Sequence, residues 1–447
     1  MGKYFGTDGI RGIANIELNP ELSFKVGRAL SLYIQKQFSK CGLVGIGKDT
    51  RLSGDMIESS VLSGLLSSGV SCKLFGILPT PAVSRLTNLI HCEAGIVISA
   101  SHNPVSDNGI KIFDKFGFKF SDKDEELIEE LIDSYSNYSL ANSHEIGRTF
   151  IETNSPQIYV ESVLSEFKDL NLKGLTILVD CAFGATYFTT PYALDKLSAK
   201  VISVNSSPNG ANINVNCGST HPEFILNYAN SSKINFDIAF AHDGDGDRVI
   251  ALLPDGRVID GDMIMSLCAV YKKRNSKLNN RIVVGTIMSN KGIEEYLKEN
   301  DIEFVRTNVG DKYVLRDMIR LNAEIGGEQS GHVIFLEKVK TGDGLVTMLE
   351  FLNILVKTDF KILDELKNIN FYHQKLTNVK TLNKERVLNS QLLKETIDKL
   401  TKDYKDLRIN VRPSGTEPLI RIFAEAKEKD IVNKAIEDLK IIIDSLA

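Results

Sequence analysis

The sequence has no long apolar run, no paired-cysteine spacing, no biased tract and no excess of positive charge. Each absence removes a class of protein. No stretch approaches a membrane span, and the first twenty residues carry Lys3, Asp8 and Arg11 without the apolar core of a secretion signal, so neither insertion nor export is expected. The six cysteines, at positions 41, 72, 92, 181, 217 and 268, show no CxxC pattern and read as reduced core thiols of a cytoplasmic protein. A formal charge of -5 and a pI near 5.9 give no basic field for nucleic acid or an anionic membrane surface. An anionic substrate must be held by local positive groups.

What is present is an ordinary globular composition, 43% hydrophobic and 25% charged, on 447 residues, long enough for three or four domains. From about residue 20, helical and strand-like segments alternate in the manner of parallel α/β units. Leu22, Val26, Leu30, Ile34 and Phe38 recur every fourth residue and predict one apolar helix face. The run from Leu43 to Gly47 predicts a strand, Ser53 a capped helix over 55–68, Gly69 the left-handed residue after it, and Ala94 to Ser99 a further strand. Residues 134 to about 157 lose apolar periodicity and read as a connection. Strands are expected again at 175–180, 236–241, 281–286 and 324–327, with a turn at Pro254-Asp255-Gly256. The tail, with strands at 407–411 and 419–423 and a closing helix, reads as α+β. The expected architecture is three similar α/β domains with mixed, mainly parallel sheets, over 1–150, 156–253 and 254–365, and a smaller α+β domain over 370–447. In such sheets ligands gather at loops following strand ends.

Asp243, Asp245 and Asp247 stand on the glycine-spaced run after the 236–241 strand. Three carboxylates within one turn repel one another unless a cation is present. A calcium-binding EF-hand fails the pattern, because its sixth position would be Arg248 and its twelfth Pro254. Magnesium, which keeps open positions for water and phosphate oxygen, suits the set. Ser99-Ala100-Ser101-His102-Asn103-Pro104 follows another strand and can present a hydroxyl, although taken alone it reads first as a polar turn. Lys111 can return to the same place. Gly326 to His332 offers Glu328, Gln329 and Ser330 to sugar hydroxyls, with glycines that let backbone approach a ligand. Arg412-Pro413-Ser414-Gly415-Thr416-Glu417-Pro418, followed by Arg421, can enclose a phosphate or be a plain hairpin turn. Gly6 to Gly12, with Arg11, reads as a loop.

These five loops, in this order, resemble the motifs of the α-D-phosphohexomutase family along the whole chain, and most closely those of its bacterial amino-sugar branch. The resemblance implies a heart-shaped molecule with its active site in a central cleft. Ser101 matches the phosphoserine, and magnesium, one per chain, would be held by Ser101, Asp243, Asp245 and Asp247. Arg11, Lys111, Arg248 and His332 match residues around the reacting phosphate, with Lys111 and His102 as candidates for proton transfer. Glu328 and Ser330 match the sugar-binding loop, and Arg412, Ser414, Gly415, Thr416 and Arg421 the loop gripping the phosphate that is not transferred. Val105-Ser106 depart from the bulkier residues common in relatives, which bears on loop packing only.

The implied activity interconverts glucosamine 6-phosphate and glucosamine 1-phosphate through a phosphoserine enzyme and a bound 1,6-bisphosphate, feeding UDP-N-acetylglucosamine and cell wall precursor synthesis. A hexose 1,6-bisphosphate would be the activator. The mannose/glucose branch, phosphomannomutase/phosphoglucomutase, is the alternative, and a catalytically idle phosphosugar sensor a rival of another class. The expected partner is a small phosphosugar, with neither nucleic acid nor membrane; a homodimer and a monomer both stay open.

Overall fold

The structure, a computed structural model, describes residues 2–6, 8–38, 42–413 and 419–446. The chain folds as two compact units, Met1–Met288 with Ile302–Leu363, and Ser289–Asp301 with Asp364–Ala447. The larger unit holds three sheets.

The first sheet runs in the order β1-β2-β6-β5-β3-β4-β7, from β1 (Phe5–Gly6), β2 (Gly9–Ile13), β3 (Leu43–Lys48), β4 (Ser71–Ile77), β5 (Ala94–Ile98), β6 (Asp107–Asp114) and β7 (Thr149–Ile151). Strands β5, β3, β4 and β7 are parallel, while β6, β2 and β1 add antiparallel. The helix Pro20–Phe38 buries Val26, Leu30 and Ile34 completely, each burial stabilising by about 2 kcal/mol. It packs with the helix Gly54–Ser67 over the same core.

Three expectations need correction here. Ser53 does not cap the second helix: it is itself helical in backbone, and its hydroxyl accepts from Asn108 Nδ2 at 2.8 Å. In helical rather than extended backbone, its hydroxyl makes no bond to the first-turn amides. Gly6 and residues 9–12 are strand rather than loop, with Gly6 paired to Gly9 and Arg11 opposite Gly109; pairing to β6 overrides the weak strand propensity of a glycine-rich segment. The stretch 134–157 is more than a connection, since it contributes β7 and begins the helix Ser155–Leu164. All three β7 residues are exposed, so no apolar alternation could announce it.

The second sheet, β12-β11-β10-β8-β9, comprises β8 (Thr176–Asp180), β9 (Lys200–Val204), β10 (Ile238–His242), β11 (Val249–Leu252) and β12 (Val258–Ile259). Its strand β10 is wholly buried and starts two residues later than the apolar run suggests. Asp237 stands just outside it, accepting the Thr176 amide at 2.7 Å. The third sheet, β14-β13-β15-β16, uses β13 (Ile282–Thr286), β14 (Glu303–Thr307), β15 (Ile325–Gly327) and β16 (Val333–Phe335). Both sheets are parallel where β8, β9, β10 and β13, β14, β15 meet and antiparallel toward one edge. The three sheets are thus mixed, as expected.

The smaller unit is built on the antiparallel sheet β17-β19-β18, from β17 (His373–Lys380), β18 (Arg408–Pro413) and β19 (Leu419–Ala426). Helices Gln391–Asp403 and Lys429–Leu446 cover it through Leu393, Leu400, Ile436 and Leu439. Among the described residues the cysteines at 72, 92, 181, 217 and 268 are buried and unpaired, and Cys41 lies outside them. Burial pushes the Cys72 thiol up to about 12, so it behaves as a small apolar side chain. No helix among the described residues is long and apolar enough to cross a membrane.

Candidate active site

Ser101 sits just beyond the β5 end, in the turn to β6, with φ +52. This left-handed backbone is costly for a residue with a side chain, and it aims the hydroxyl at the loop after β10. Ser101 Oγ donates to Asp243 Oδ2 at 2.7 Å. His102 Nδ1 lies 3.5 Å from the same hydroxyl. The loop carrying Asp243, Asp245 and Asp247 turns at Gly246, whose φ of +70 and 2.4 Å clearance to Thr186 Cγ2 leave no room for a Cβ.

The three aspartates are buried, and one ligand oxygen of each lies within 4.8 Å of the others. Asp245 Oδ1 and Asp247 Oδ1 are buried without a hydrogen-bond partner among the described residues. Carboxylate oxygens are strongly solvated groups, and two left unsatisfied beside a third carboxylate fit a hard divalent cation. Burial, then Asp247 and Asp245, push the Asp243 carboxyl well above its ordinary value, and burial with Asp245 also raises Asp247. A bound cation would relieve both.

Asp245 is different. Burial works against its charge, but Lys111 and the Thr80 hydroxyl hold it below the usual carboxylate range. Lys111 Nζ lies 2.8 Å from Asp245 Oδ2, 3.0 Å from Asp8 Oδ2 and 3.8 Å from Asp247 Oδ2. Burial opposes the Lys111 ammonium, yet Asp245 and Asp8 raise its pKa above the ordinary lysine value. Thr80 donates to Asp245 Oδ2 at 2.6 Å, and its amide donates to the Asp245 carbonyl at 2.8 Å. Burial, then Arg248 and Arg11, push the His102 imidazole down to about 3.

Two arginines reach the loops that carry Ser101 and the aspartates. Arg11 pairs with Asp8 and donates to the Ala100 carbonyl and Asn103 Oδ1, both at 3.4 Å. Arg248 gives its amide to Asp243 Oδ1 at 3.2 Å, with its guanidinium 3.8 Å from Asp247.

The sugar-loop residues form a neighbouring cluster. Glu328 Oε1 accepts the Gly310 amide at 2.9 Å, and Ser330 Oγ donates to Glu328 Oε2 at 3.4 Å. Gln329 Nε2 donates to Asp260, the residue capping the helix Gly261–Arg274. His332 is buried, its Nε2 accepting the Gly342 amide at 3.2 Å and lying 3.9 Å from Asp311 Oδ2. No direct contact joins it to Ser101 among the described residues. In the smaller unit, Arg412 on β18 faces Arg421 on β19, which sets two arginines side by side. Ser414, Gly415 and Thr416 lie outside the described residues.

Sequence reasoning misses several residues at this site. Lys119 pairs with both Asp8 and Asp311, joining the serine cluster to the Gly310 loop. Thr80 and Asn214 approach from other segments. Lys119 stands in a half-polar stretch and gives no motif signal. Asp8 is visible beside Arg11, though its partner Lys111 lies on a different strand.

Comparison with known proteins places the chain in a family. The chain fits all four domain profiles of one family, phosphoglucomutase/phosphomannomutase: alpha/beta/alpha domain I over residues 2–139, domain II over 157–256, domain III over 260–371 and the C-terminal domain over 376–440. It is 44% identical, over 99% of each chain, to phosphoglucosamine mutase of Caldanaerobacter subterraneus subsp. tengcongensis. It is 43% identical to phosphoglucosamine mutase of Pelotomaculum thermopropionicum, over 98% of this chain and 99% of the other. Its fold is similar to that of Aspergillus fumigatus N-acetylphosphoglucosamine mutase in complex with GlcNAc-6P and magnesium, at a TM-score of 0.72 and 19% identity over 100% of this chain and 96% of that one. The chain belongs to the phosphoglucomutase/phosphomannomutase family of phosphohexomutases. It is an isomerase of the phosphotransferase kind.

Proposed function

We propose that the chain is a phosphoglucosamine mutase, interconverting glucosamine 6-phosphate and glucosamine 1-phosphate, with Ser101 as the phosphoryl carrier. The observation that carries the mechanism is the 2.7 Å bond between Ser101 Oγ and Asp243, inside a buried aspartate triplet with two unsatisfied oxygens. Full-length identity of 44% to a phosphoglucosamine mutase supports the amino-sugar substrate. The four matched segments support domains over 1–150, 156–253, 254–365 and 370–447.

In the proposed cycle, phosphorylated Ser101 gives its phosphoryl group to the free hydroxyl of the sugar phosphate, forming a bound 1,6-bisphosphate. That intermediate turns around and returns its other phosphate to Ser101. Asp243, Asp245, Asp247 and the Ser101 oxygen would hold one Mg2+, which would supply charge stabilisation at the transferring group. Arg11 and Arg248 reach the loops carrying Ser101 and the aspartates and neutralise the phosphoserine dianion. Lys111, clamped by two carboxylates, keeps its proton and serves as a fixed cation and hydrogen-bond donor. His102 is uncharged at neutral pH and lies 3.5 Å from the Ser101 hydroxyl; its basicity is low beside the two arginines, and the phosphoserine dianion would raise it toward a value at which it can take the proton of the attacking hydroxyl. Glu328 and Ser330 orient the sugar, His332 supports their loop, and Arg412, Ser414, Gly415, Thr416 and Arg421 hold the resting phosphate. A hexose 1,6-bisphosphate restores enzyme that has lost its phosphate. The product suits UDP-N-acetylglucosamine synthesis in the cytoplasm.

Side-by-side kinetics decide the substrate. We expect kcat/KM for glucosamine 6-phosphate to exceed that for mannose 6-phosphate by roughly 10²-fold or more, the scale set by one correctly paired polar group. Equal or reversed values would move the chain to the mannose/glucose branch.

Metal binding has a pH signature. The raised Asp243 and Asp247 carboxyls favour protonation in the folded chain, so ionising them costs stability as pH rises above the unfolded carboxylate value. A cation replaces those protons. Magnesium at a hundredfold excess over its Kd at about pH 7.5 should stabilise metal-stripped protein by about 2.7 kcal/mol at that pH, and the same concentration should give a smaller gain at about pH 5, where protons compete. Thermal melts at both pH values check this, and an equal gain at both would contradict it.

A further inference from the structure

We propose that Arg51 and Asn214, neither of which touches the Ser101 hydroxyl, are positioning residues for phosphoryl transfer: together they clamp the carbonyls of the serine loop and so set the Ser101 to Asp243 alignment. This inference rests on the reading of Ser101 as carrier.

Arg51 lies in the turn after β3, and its side chain is completely buried. Asp49 fixes it from behind, with Oδ2 2.9 Å from Arg51 Nε and Oδ1 accepting the Arg51 amide at 2.9 Å. The front of the guanidinium meets four carbonyls of the turn between β5 and β6. Nη2 donates to Ser101 O at 2.9 Å and Asn103 O at 2.8 Å, and Nη1 donates to Asp107 O at 3.0 Å and to Pro104 O. Only a planar fork can span such a set, since an ammonium offers three donors from a single point. Asp49 also accepts the Ser99 hydroxyl at 2.6 Å, and Ser99 Oγ accepts the Ser101 amide at 2.9 Å. Both peptide groups flanking the Ser101 Cα are therefore held, which maintains its φ of +52.

Asn214 closes the clamp from the second sheet's side. Its Nδ2 donates to Ser101 O at 2.8 Å and Asn103 O at 3.3 Å. The aspartate loop rests on the same atoms: a Cβ on Gly244 would stand 2.6 Å from Asn214 Nδ2 and 2.7 Å from Ser101 O. The backbone next to Asp243 thus seats directly on the carbonyl that Arg51 and Asn214 hold. Loss of the clamp frees Ser101 to leave the left-handed region and carries its hydroxyl away from Asp243. A misplacement of about 1 Å at reacting atoms costs roughly 10²-fold in rate.

The test compares Arg51→Lys and Asn214→Ala with wild-type protein, measuring kcat and KM for glucosamine 6-phosphate and the rate of Ser101 phosphate loading from glucose 1,6-bisphosphate by intact mass. Arg51→Lys should lower kcat per folded molecule by roughly 10²-fold and slow loading by the same factor. Its KM should stay within about threefold, because Glu328 and Ser330 are untouched. Asn214→Ala, a half-buried position, should lose about tenfold in both rates and decides the matter alone if Arg51→Lys fails to fold. Rates per folded molecule within about threefold of wild type, or a rise in KM matching the fall in kcat/KM, would overturn the clamp. Ser101→Ala in the same loading assay separates the two ideas. If it still takes up phosphate, the carrier reading fails and the clamp with it; if it does not, while clamp variants load at wild-type rate, only the clamp fails.

Discussion

Ser101→Ala is expected to lower turnover by roughly 10⁴-fold or more, the scale on which loss of a nucleophile is felt, while leaving the protein folded. Among the described residues, the hydroxyls closest in the site are already engaged. Ser99 Oγ is committed to Asp49 and the Ser101 amide, and Thr80 Oγ to Asp245. The cost to stability is small, because the substitution removes one hydrogen bond, worth about 1 kcal/mol, and the backbone strain at φ +52 is the same for alanine as for serine. Steady-state kinetics together with a thermal melt check both halves. Turnover within about tenfold of wild type would remove Ser101 from the chemistry.

Asp245→Asn should damage activity and stability together. Asparagine keeps the shape and can still accept from Thr80, but the buried Lys111 ammonium loses its nearest counter-charge, at 2.8 Å. Breaking one side of a buried pair costs about 3 kcal/mol, offset in part here by Asp8 at 3.0 Å. One cation ligand goes as well, so kcat should fall by roughly 10³-fold. The sign of the acid response follows from the depressed Asp245 carboxyl: its contribution is fully present above the ordinary carboxylate pKa and is lost as pH falls below it. Wild-type urea stability should therefore drop more steeply than that of Asp245→Asn on acidification below about pH 4. Parallel curves would mean that the Lys111 pairing contributes nothing net.

The parts of the site that the sequence announces are those confined to one loop. Asp243, Asp245 and Asp247 stand alternately on a turn, and their mutual repulsion makes a cation readable without coordinates. Ser101 is legible by its place after an apolar strand, although its left-handed backbone is not. Contacts made across the sheets leave no local trace. Nothing in the neighbourhood of Arg51, Lys119 or Asn214 shows that their partners are the carbonyls at 101–107, the Asp311 carboxylate or the Ser101 peptide. The same limit explains the fold-level errors. Apolar periodicity reveals the helix Pro20–Phe38 and the buried strand β10, whereas the exposed β7 and the glycine-rich β1-β2 pair exist because a neighbouring strand offers them a ladder.

The central claim is that one serine stores and returns a phosphoryl group. Intact-mass analysis before and after incubation with glucose 1,6-bisphosphate, followed by peptide mapping, tests it most directly. The account predicts a gain of one phosphate located at Ser101, which, when carried in from isotopically labelled bisphosphate, passes to the sugar during turnover of glucosamine 6-phosphate and is replaced by an unlabelled one. A phosphate on another residue, or fully active protein that carries none at Ser101 either before or after incubation, would contradict it.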